Sequence, residues 1–497
     1  MTRVLVANRG EIAVRVVAAC RRLGFEAVVA VSAADVDSLA ALLADRVVRI
    51  GPAPAAASYL RPELVVQAAM QSGADLVHPG YGFLSEKPEL AELLQERGIA
   101  FAGPRPSTLR AVGDKVAARR AAVEAGVPVA PAAEVADLAG ARRAAERIGY
   151  PLLVKAVHGG GGRGIHRVER PDDLDRILPL AAAEARAAFA DPALYLERFY
   201  GNGRHVEVQI FGDGEGGVLV LGDRDCSVQR RHQKLVEECP APGLSDATRT
   251  LLHDCARRLG RHLRYRGAGT CEFLLDAGTD PAAVDPATAE PAVVVFLELN
   301  ARIQVEHPVT EEAFGIDLVA AQLLQAAGRP HGLPDVPPVP PAHVVECRLT
   351  AEDPWQDFRP APGRIGRLVL PSGPGVRVDT HVYSGYVVPP FYDSLLAKII
   401  VRAHDRGSAL VGALAAVETT VVDGVATSAD VHRAILAHPQ FRAGGVTTGW
   451  LPGVWPPARE ATPVAAPTPL PTPLPTPLPT PLPTSAQPAS PTAGAAR

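Results

Sequence analysis

The sequence lacks the features that mark several large classes of protein. Its 497 residues include six cysteines, none in a C-x-x-C pair, so a disulfide framework and a zinc site are not expected. No apolar run approaches the roughly 18 residues of a membrane-spanning helix. The N-terminus, MTRVLVANRGEIAVR, reaches charged residues too early for a secretory signal. A net charge of −4 argues against a nucleic-acid partner. We therefore expect a cytoplasmic protein that binds neither nucleic acid nor a membrane.

Local patterns divide the chain into segments. Hydrophobic residues make up 47% of the chain and charged residues 21%, which is enough apolar material for a large core. A strand at 3–7, a helical pattern at 11–23 and a strand at 27–31 give a β-α-β order that predicts a parallel sheet. The loop HPGYGFLSE follows a later strand and carries Tyr81, and ligands bind in such loops beyond the carboxyl ends of parallel strands.

The last part of the chain, from about Trp455, has a different composition. It contains four copies of TPLP, which favour extended polyproline II and cannot bury a core. The length suggests about three folded domains before it. The predicted segments are an N-terminal domain at 1–112, a central domain at 113–330, a C-terminal domain at 331–450 and a disordered tail at 451–497.

The most informative stretch is FLELNARIQVEHPVTE, at residues 296–311. It continues an apolar run at 293–297 that predicts a buried strand. Polar residues follow at a spacing of two, which in an extended chain puts them on one face. They are Glu298, Asn300, Arg302, Gln304 and Glu306. A surface strand also alternates, but here oxygen ligands suited to Mg²⁺ stand beside a guanidinium suited to bicarbonate or phosphate. The stretch therefore predicts a cation site next to an anion site.

Two lysines and a glycine-rich loop indicate a phosphate site in the central domain. Lys155 lies in a predicted strand at 151–156, and GGGGRG follows at 159–164, which leaves backbone N–H groups free to wrap phosphate oxygens. A flexible hairpin tip is the alternative, and the loop is not a Walker A motif. Lys115 follows a predicted N-cap, Asp114, and on sequence alone a solvated position on a helix is the simpler interpretation.

A polar run and an isolated carboxylate complete the candidate site. The run DRDCSVQRRHQK, at 223–234, resembles a solvated face, but predicted strands flank it, and its basic, histidine and glutamine side chains suit an anionic substrate. Glu272 lies among apolar residues of a strand predicted at 267–275. A buried carboxylate needs a partner, and a metal ion shared with Glu298 would supply it.

Together these motifs resemble biotin carboxylase, a family of the ATP-grasp superfamily. ANRGEIA, HPGYGFLSE, GDK, GGGGRG, RDCSVQRRHQK, NARIQVEHPVTE and ECRLTAEDP occur in the family's order and spacing from residue 3 to about 449. The resemblance implies an α/β and α+β multidomain fold. Its parts would be a Rossmann-like parallel domain, an ATP-grasp domain with a lid at about 131–203, and a C-terminal domain with a mixed sheet. The implied reaction is ATP-dependent carboxylation of carrier-bound biotin by bicarbonate, through carboxyphosphate.

The resemblance also implies a role for each matching residue. The residues implied to hold ATP are Lys115, Lys155, Gly161, Gly162, Glu197, Arg198, Phe199, Tyr200, His205, Gln229 and His232. Those implied to bind two Mg²⁺ or Mn²⁺ ions are Glu272, Glu298 and Asn300. Those implied to bind bicarbonate are Lys234, Arg302, Gln304 and the Val305 backbone, with Glu306 as its base. On the biotin side they are Arg348, which would stabilise the enolate, Tyr81 and Arg15.

The chain departs from the family's pattern at three places. Val157 and His158 replace a common Ser-Gly, which leaves four lid glycines rather than five. The loop at 278–291 is longer than in compact members and places Glu272 and Glu298 26 positions apart. No A-M-K-M biotinylation site is present. The resemblance therefore implies a biotin carboxyl carrier protein and a carboxyltransferase on separate chains, and the family often forms dimers.

Two alternatives stay open at this point. Another ATP-grasp ligase, such as a carbamoyl-phosphate or amino-acid ligase, would share the nucleotide site, although Arg302, Glu306 and Arg348 together favour biotin. A catalytically silent scaffold that assembles through its tail is the alternative outside enzymes, and the presence of every expected catalytic residue argues against it. The motifs do not identify the final acceptor, although a separate subunit favours an acyl-CoA carboxylase.

Overall fold

The structure is a computed structural model that describes residues 1–135, 137–157, 164–189, 191–201, 203–276 and 293–457. The predicted lid glycines Gly161 and Gly162, the loop at 278–291 and the predicted tail beyond 457 lie outside these residues. Residues Met1–Pro456 form one compact unit. Within the described ranges, no helix combines the length and the apolar content needed to cross a membrane.

The N-terminal segment forms a five-stranded parallel sheet with helices packed against it. Its elements are β1 (Arg3–Val6), α1 (Gly10–Leu23), β2 (Glu26–Ser32), α2 (Leu39–Leu43), β3 (Arg46–Gly51), α3 (Pro62–Ser72), β4 (Leu76–His78), α4 (Pro88–Gln95), β5 (Ala100–Phe101) and α5 (Pro106–Val112). The strand order is β3-β2-β1-β4-β5, which confirms the predicted β-α-β unit. Asn8 joins the loops after β1 and β4 by donating from Nδ2 to the carbonyl oxygens of Pro79 and Tyr81.

A four-stranded antiparallel sheet follows in the first part of the central segment. Its elements, with the helix that precedes them, are α6 (Lys115–Glu124), β6 (Ala132–Val135), α7 (Leu138–Ile148), β7 (Leu152–Ala156), β8 (Ile165–Val168), α8 (Pro171–Phe189) and β9 (Leu194–Arg198). The strand order is β6-β9-β7-β8. The carboxylate of Asp114 caps α6 by accepting from the Ala117 N–H at 2.7 Å, as its sequence position predicts.

The remainder of the chain is built on an eight-stranded sheet. The central segment contributes β10 (Gly203–Asp213), β11 (Val218–Arg230), β12 (Gln233–Cys239), α9 (Asp246–His262), β13 (Arg266–Asp276), β14 (Val293–Asn300), α10 (His307–Phe314) and α11 (Leu318–Ala326). The C-terminal segment contributes β15 (His343–Thr350), β16 (Glu352–Asp353), β17 (Arg359–Pro360), β18 (Gly363–Arg364), β19 (Leu368–Val369), β20 (Val376–Thr380), β21 (Val387–Val388), β22 (Leu395–Ala403), α12 (Arg406–Thr419), β23 (Val421–Val422), α13 (Ala429–Ala437) and α14 (Pro439–Ala443).

This sheet crosses the predicted boundary at 330–331. Its order is β14-β13-β10-β11-β12-β15-β22-β20, so strands of the C-terminal segment continue the sheet of the central one. Every described strand pair of the C-terminal segment is antiparallel. The mixed sheet predicted there is therefore wrong, because β15 runs antiparallel to both of its neighbours, β12 and β22, and β20 runs antiparallel to β22.

The polar run at 223–234 is a hairpin that is buried from Asp223 to Gln229 and exposed at its turn, residues 231–233. It forms the end of β11, a turn at Arg231 and His232, and the start of β12. The turn residues have φ of 49° and 66°, in the left-handed region, which costs a non-glycine residue on the order of 1 kcal/mol. The hairpin carries Gln229 and Lys234 on its two strands, next to one another in register.

Candidate active site

A cleft of about 1610 Å³ contains the predicted site residues. Its walls come from the N-terminal loops, the four-stranded sheet and the eight-stranded sheet. The predicted residues that line it are Tyr81, Lys115, Lys155, Glu197, Arg198, Phe199, Tyr200, His205, Gln229, His232, Lys234, Glu272, Glu298, Asn300, Arg302, Gln304, Val305, Glu306 and Arg348. Of the predicted residues that the structure describes, Arg15 alone lies elsewhere.

The prediction that Arg15 lines the biotin side is wrong. Its side chain is buried, and its guanidinium contacts Glu311 at 2.8 Å and Asp317 at 2.6 Å. Glu311 lies on α10 and Asp317 caps the start of α11, so the ion pairs attach α1 to that part of the chain. Arg15 lies on the same helix, α1, as the end of the motif at 7–13. Its side chain, however, packs against other parts of the protein instead of facing the cleft.

The polar stripe at 298–306 does not remain extended. β14 ends at Asn300, and the chain then bends into α10, which has Pro308 in its first turn. Glu298 and Asn300 share a strand face as predicted. The prediction that Arg302, Gln304 and Glu306 continue the same strand face is wrong. The stripe still lines the cleft, because the bend turns back beside β13 rather than away from it.

Glu272 and Glu298 lie directly opposite each other on β13 and β14. Antiparallel pairing therefore brings together two carboxylates that are 26 positions apart. Burial raises the pKa of Glu298, and the neighbouring Glu272 carboxylate raises it further. Two hard oxygen donors in this position fit a divalent cation. The Asn300 amide nitrogen donates to Glu272 at 2.8 Å and to Glu298 at 3.4 Å, so its amide must turn before its oxygen can be a ligand.

Glu306 is held by two cations next to this carboxylate pair. Lys234 Nζ contacts its Oε1 at 2.5 Å, and Arg348 donates to its Oε2 at 2.9 Å. Burial alone would raise the pKa of Glu306, but Lys234 and Arg348 outweigh it and hold that pKa well below the usual value. Lys234 also contacts Glu207 at 2.6 Å and Glu272 at 3.3 Å, so it connects Glu306 to the Glu272–Glu298 pair.

The part of the cleft around Lys115, Lys155 and His232 brings several basic side chains together. Lys115 is the first residue of α6, and burial and the charge of Lys155 both lower its pKa. Burial, Lys115 and Lys155 also lower the pKa of His232. Lys115 is half-buried and lines the cleft, so its position differs from the fully solvated one considered from the sequence. Positively charged groups this close together repel one another. A bound polyanion would remove that repulsion and stabilise the charged form of each of them.

His205 lies between Gln229 and Glu272. Its Nδ1 lies 2.7 Å from the Gln229 amide nitrogen, and since that nitrogen is a donor, Nδ1 is the acceptor. Its Nε2 lies 2.9 Å from Glu272 Oε2, an ion-pair contact without hydrogen-bond alignment. Burial would lower the pKa of His205, but the Glu272 carboxylate reverses this and raises it.

Several residues that organise the site were not predicted. Arg224 is fully buried and uses all of its donors, to Glu207, Gln209, Thr310, Thr270 and Gln304. The Gln304 oxygen faces Arg224, so its amide nitrogen is free to donate to Glu272 at 2.7 Å. The alternation HVEVQI on β10 was a usable signal, because it puts His205, Glu207 and Gln209 on one face of a strand that is buried on both faces.

Glu86 is a further residue of this kind. It lies in the motif HPGYGFLSE and accepts from Arg302 Nε and from the Ala301 N–H, both at 3.0 Å. It therefore fixes the start of the bend after β14 to an N-terminal loop. Neither periodicity nor composition singled out this carboxylate in the sequence.

Comparison with known proteins supplies an independent test. Three family models match the chain. They are "Biotin carboxylase, N-terminal domain" at 1–109, "Carbamoyl-phosphate synthase L chain, ATP binding domain" at 114–333 and "Biotin carboxylase C-terminal domain" at 346–453. The chain is 42% identical over 451 residues to the biotin carboxylase of Nostoc sp. The aligned region covers 90% of this chain and 98% of that protein.

Solved structures agree with the sequence relatives. The crystal structure of a biotin carboxylase–β,γ-ATP complex from Campylobacter jejuni is similar with a TM-score of 0.84 and 38% identity, over 91% of this chain and 98% of that one. The biotin carboxylase domain dimer of Hydrogenobacter thermophilus 2-oxoglutarate carboxylase, solved with MgADP, ADP and bicarbonate, is similar with a TM-score of 0.84 and 39% identity, over 91% and 97%.

Proposed function

The chain belongs to the biotin carboxylase family, whose members are ATP-dependent ligases that carboxylate biotin with bicarbonate, and on that premise we propose which residues perform each step. One observation carries the assignment of roles. Glu306 lies between Lys234 and Arg348, beside the paired carboxylates of Glu272 and Glu298. A base, an anion site and a cation site are thus adjacent in one cleft.

The nucleotide is proposed to bind along the four-stranded sheet. Lys115 and Lys155 hold its phosphates, residues 197–200 contact adenine, and His205 contacts the ribose, with Gln229 and His232 nearby. The proposed lid contacts of Gly161 and Gly162 belong to residues that the structure does not describe. Mg²⁺ or Mn²⁺ bound by Glu272, Glu298 and a turned Asn300, in the proposed two sites, would neutralise phosphate charge. The buried, positively charged end of the cleft supports this part.

Bicarbonate is proposed to bind between the bend after β14 and Lys234. The guanidinium of Arg302, the Gln304 amide and the Val305 N–H orient it. Glu306 removes its proton, so that a bicarbonate oxygen attacks the γ-phosphorus and ADP leaves, which gives carboxyphosphate. The position of Glu306 supports this, because its carboxylate lies between Lys234 and Arg348 at the edge of the proposed bicarbonate site and is ionised, as a proton acceptor must be.

Biotin is proposed to bind on the Arg348 side of Glu306. The bond from the carboxyl carbon of carboxyphosphate to phosphate breaks, the released phosphate accepts the proton of the ureido nitrogen, and that nitrogen bonds to the carboxyl carbon. Negative charge develops on the ureido oxygen as the proton leaves, and a fixed guanidinium stabilises it. Glu237 holds Arg348 in place by accepting from Nε at 2.6 Å. Tyr81 lines the same side of the cleft, and its hydroxyl donates to Glu11.

The wider assignment follows the same family. We propose that biotin is presented by a carrier protein and that the carboxyl group then passes to a carboxyltransferase on another chain, with an acyl-CoA as the favoured acceptor. A dimer like that named for the Hydrogenobacter structure is part of the proposal. So are the domain bounds 1–112, 113–330 and 331–450, and a cytoplasmic location, which six free cysteines support.

The test is substrate-dependent ADP release by the full chain. We expect release with Mg²⁺, ATP and bicarbonate to be stimulated by biotin or by a biotinylated carrier, with label from ¹⁴C-bicarbonate appearing on biotin. Ammonia or an amino acid that drives ADP release equally well would indicate the other ligase class. ATP binding without ADP release under any of these conditions would indicate a silent subunit.

A further inference from the structure

Lysine is rare in this chain, and its positions are informative. The sequence contains five lysines and 45 arginines. Lys115, Lys155 and Lys234 line the cleft, and Lys87 is exposed on the surface. Lys398, on β22, is fully buried, and the sequence analysis did not single it out. An ammonium is a compact charge and a guanidinium is a planar fork. A buried lysine in an arginine-rich chain therefore indicates a place where a compact cation is needed.

The ammonium of Lys398 connects three parts of the chain. It donates to the carbonyl oxygen of Val305 at 2.8 Å, contacts Glu11 Oε1 on α1 at 3.1 Å, and lies 3.8 Å from Asp379 Oδ2 on β20. The Val305 carbonyl belongs to the peptide that joins Val305 to Glu306. The bond from Lys398 therefore fixes the backbone directly before the proposed base.

The same ammonium is linked to the biotin side. The Glu11 oxygen that contacts Lys398 also accepts a hydrogen bond from the Tyr81 hydroxyl. Lys398 is in addition the cross-strand neighbour of Arg348 in the pairing of β15 with β22. One buried cation thus connects the backbone proposed to bind bicarbonate with two residues proposed to face biotin.

We propose that Lys398 is a positioning residue for carboxylation. It holds the Val305–Glu306 peptide directly and Tyr81 through Glu11, and so keeps the bicarbonate and biotin subsites in a fixed relative position. This inference rests on the proposed function and deepens it, since Lys398 does not line the cleft itself. An ion pair that only balances charge is the alternative, and an arginine would serve that purpose equally well.

The test compares two Michaelis constants in the full chain. For Lys398→Met and Lys398→Arg we expect the KM for bicarbonate in ADP release to rise by about 10-fold or more, because misplacing a binding group by about 1 Å has effects of at least this size. The KM for ATP should not change. Lys87→Met is the matched control and should leave both constants unchanged. A wild-type KM for bicarbonate in Lys398→Arg would overturn the proposal.

A second measurement needs no variant and so does not depend on how the substitutions fold. With ¹⁵N-labelled lysine, the wild-type chain gives five side-chain signals for five lysines. We expect bicarbonate, but not chloride at the same ionic strength, to shift the Lys398 Nζ signal and to leave that of Lys87 in place. A Lys398 signal that does not move would overturn the proposal. Wild-type protein that releases no ADP with bicarbonate would instead contradict the proposed function.

Discussion

At the scale of single residues, the site depends on buried carboxyl groups whose charge is set by their neighbours. Glu306 faces two cations and stays ionised. Glu346 on β15 is equally buried, but neither of its oxygens has a hydrogen-bond partner. Burial raises its pKa well above the usual value, although Lys398 opposes the shift. Two glutamates in neighbouring elements are therefore predicted to differ in protonation at neutral pH.

Glu306→Gln should abolish most activity without loss of nucleotide binding. The substitution keeps the size of the side chain and removes the proton acceptor, so bicarbonate-dependent ADP release should fall by about 10²–10⁴-fold. ATP affinity, measured by calorimetry, should be retained. Glu96→Gln, at an exposed position, is the control and should behave like wild type. Unchanged activity in Glu306→Gln would refute the assigned base.

As the pH rises, the free energy of unfolding should fall less for Glu346→Gln than for wild type. The pKa of Glu346 is raised in the folded protein. The stability that its neutral form contributes is therefore fully present below the unfolded pKa of about 4.3 and is lost as the pH rises toward the folded pKa. Over that window wild type should lose about 1.4 kcal/mol per pH unit relative to the variant. The charged groups that face Glu346 are Lys398, Glu237, Arg348 and Glu306.

Urea unfolding of Glu346→Gln and wild type at pH 5, 6 and 7 measures this difference. Glu96→Gln again serves as the control, since the Glu96 side chain is exposed on the surface. Parallel stability curves for wild type and Glu346→Gln across this range would mean that Glu346 is already ionised in the folded protein.

At the scale of elements, the start of a helix or the end of a strand places several of the side chains proposed to be functional. Lys115 is the first residue of α6, directly after the Asp114 cap. Glu298 and Asn300 are the last polar residues of β14, before the chain bends into α10. Ends of elements suit functional groups because the backbone there is fixed on one side by regular hydrogen bonds and open to the cleft on the other.

Asp114→Ala should weaken ATP binding as well as stability. Loss of the cap costs about 1 kcal/mol and frees the first turn of α6, so Lys115 loses its fixed position and the KM for ATP should rise. Asp137→Ala is the matched control. Asp137 caps α7 by accepting from the Gly140 N–H at 2.6 Å and does not line the cleft. Asp137→Ala should lose a similar amount of stability and keep the wild-type KM for ATP. If Asp114→Ala and Asp137→Ala changed this KM equally, the role proposed for the Asp114 cap would be contradicted.

At the scale of the whole molecule, the central and C-terminal segments share one sheet. β12 pairs with β15, from Val236 opposite Cys347 to Cys239 opposite Val344. Arg348 on β15 contacts Glu306, and Lys398 on β22 contacts the Val305 carbonyl, so both come from the C-terminal strands of this sheet. Glu306, which follows β14, and Arg348, one of the two cations that hold it, thus come from opposite sides of the predicted boundary at 330–331.

A chain that ends at residue 330 should therefore fail to form a stable fold. It would leave β12 as an unpaired edge and Glu306 without Arg348, and a buried charge that loses a partner is strongly destabilising. Limited proteolysis and size-exclusion chromatography would measure this. A chain that ends at 457 keeps all the described elements and is the control. A monodisperse, protease-resistant fragment 1–330 would show that the segments fold independently.

The sequence predicted the fold best where structure is local. The strands at 3–7 and 27–31, the helix at 11–23 and the cap at Asp114 follow from hydrophobic period and capping chemistry, and the structure has them within about a residue or two. The mixed sheet, the continuous stripe and Arg15 were wrong. Each of these required knowing which distant segment packs against the residue, and no local pattern contains that information.

The sequence by itself determined the chemistry that is available: which carboxylates, lysines and arginines exist and in what order. Only the tertiary structure decided how they act, because pairing of β13 with β14 sets Glu272 against Glu298 and pairing of β12 with β15 brings Arg348 to Glu306. The charge state of a buried group depends on burial and on neighbours within a few ångströms. Those neighbours are set by strand register across the whole chain, which the order of residues along one segment does not reveal.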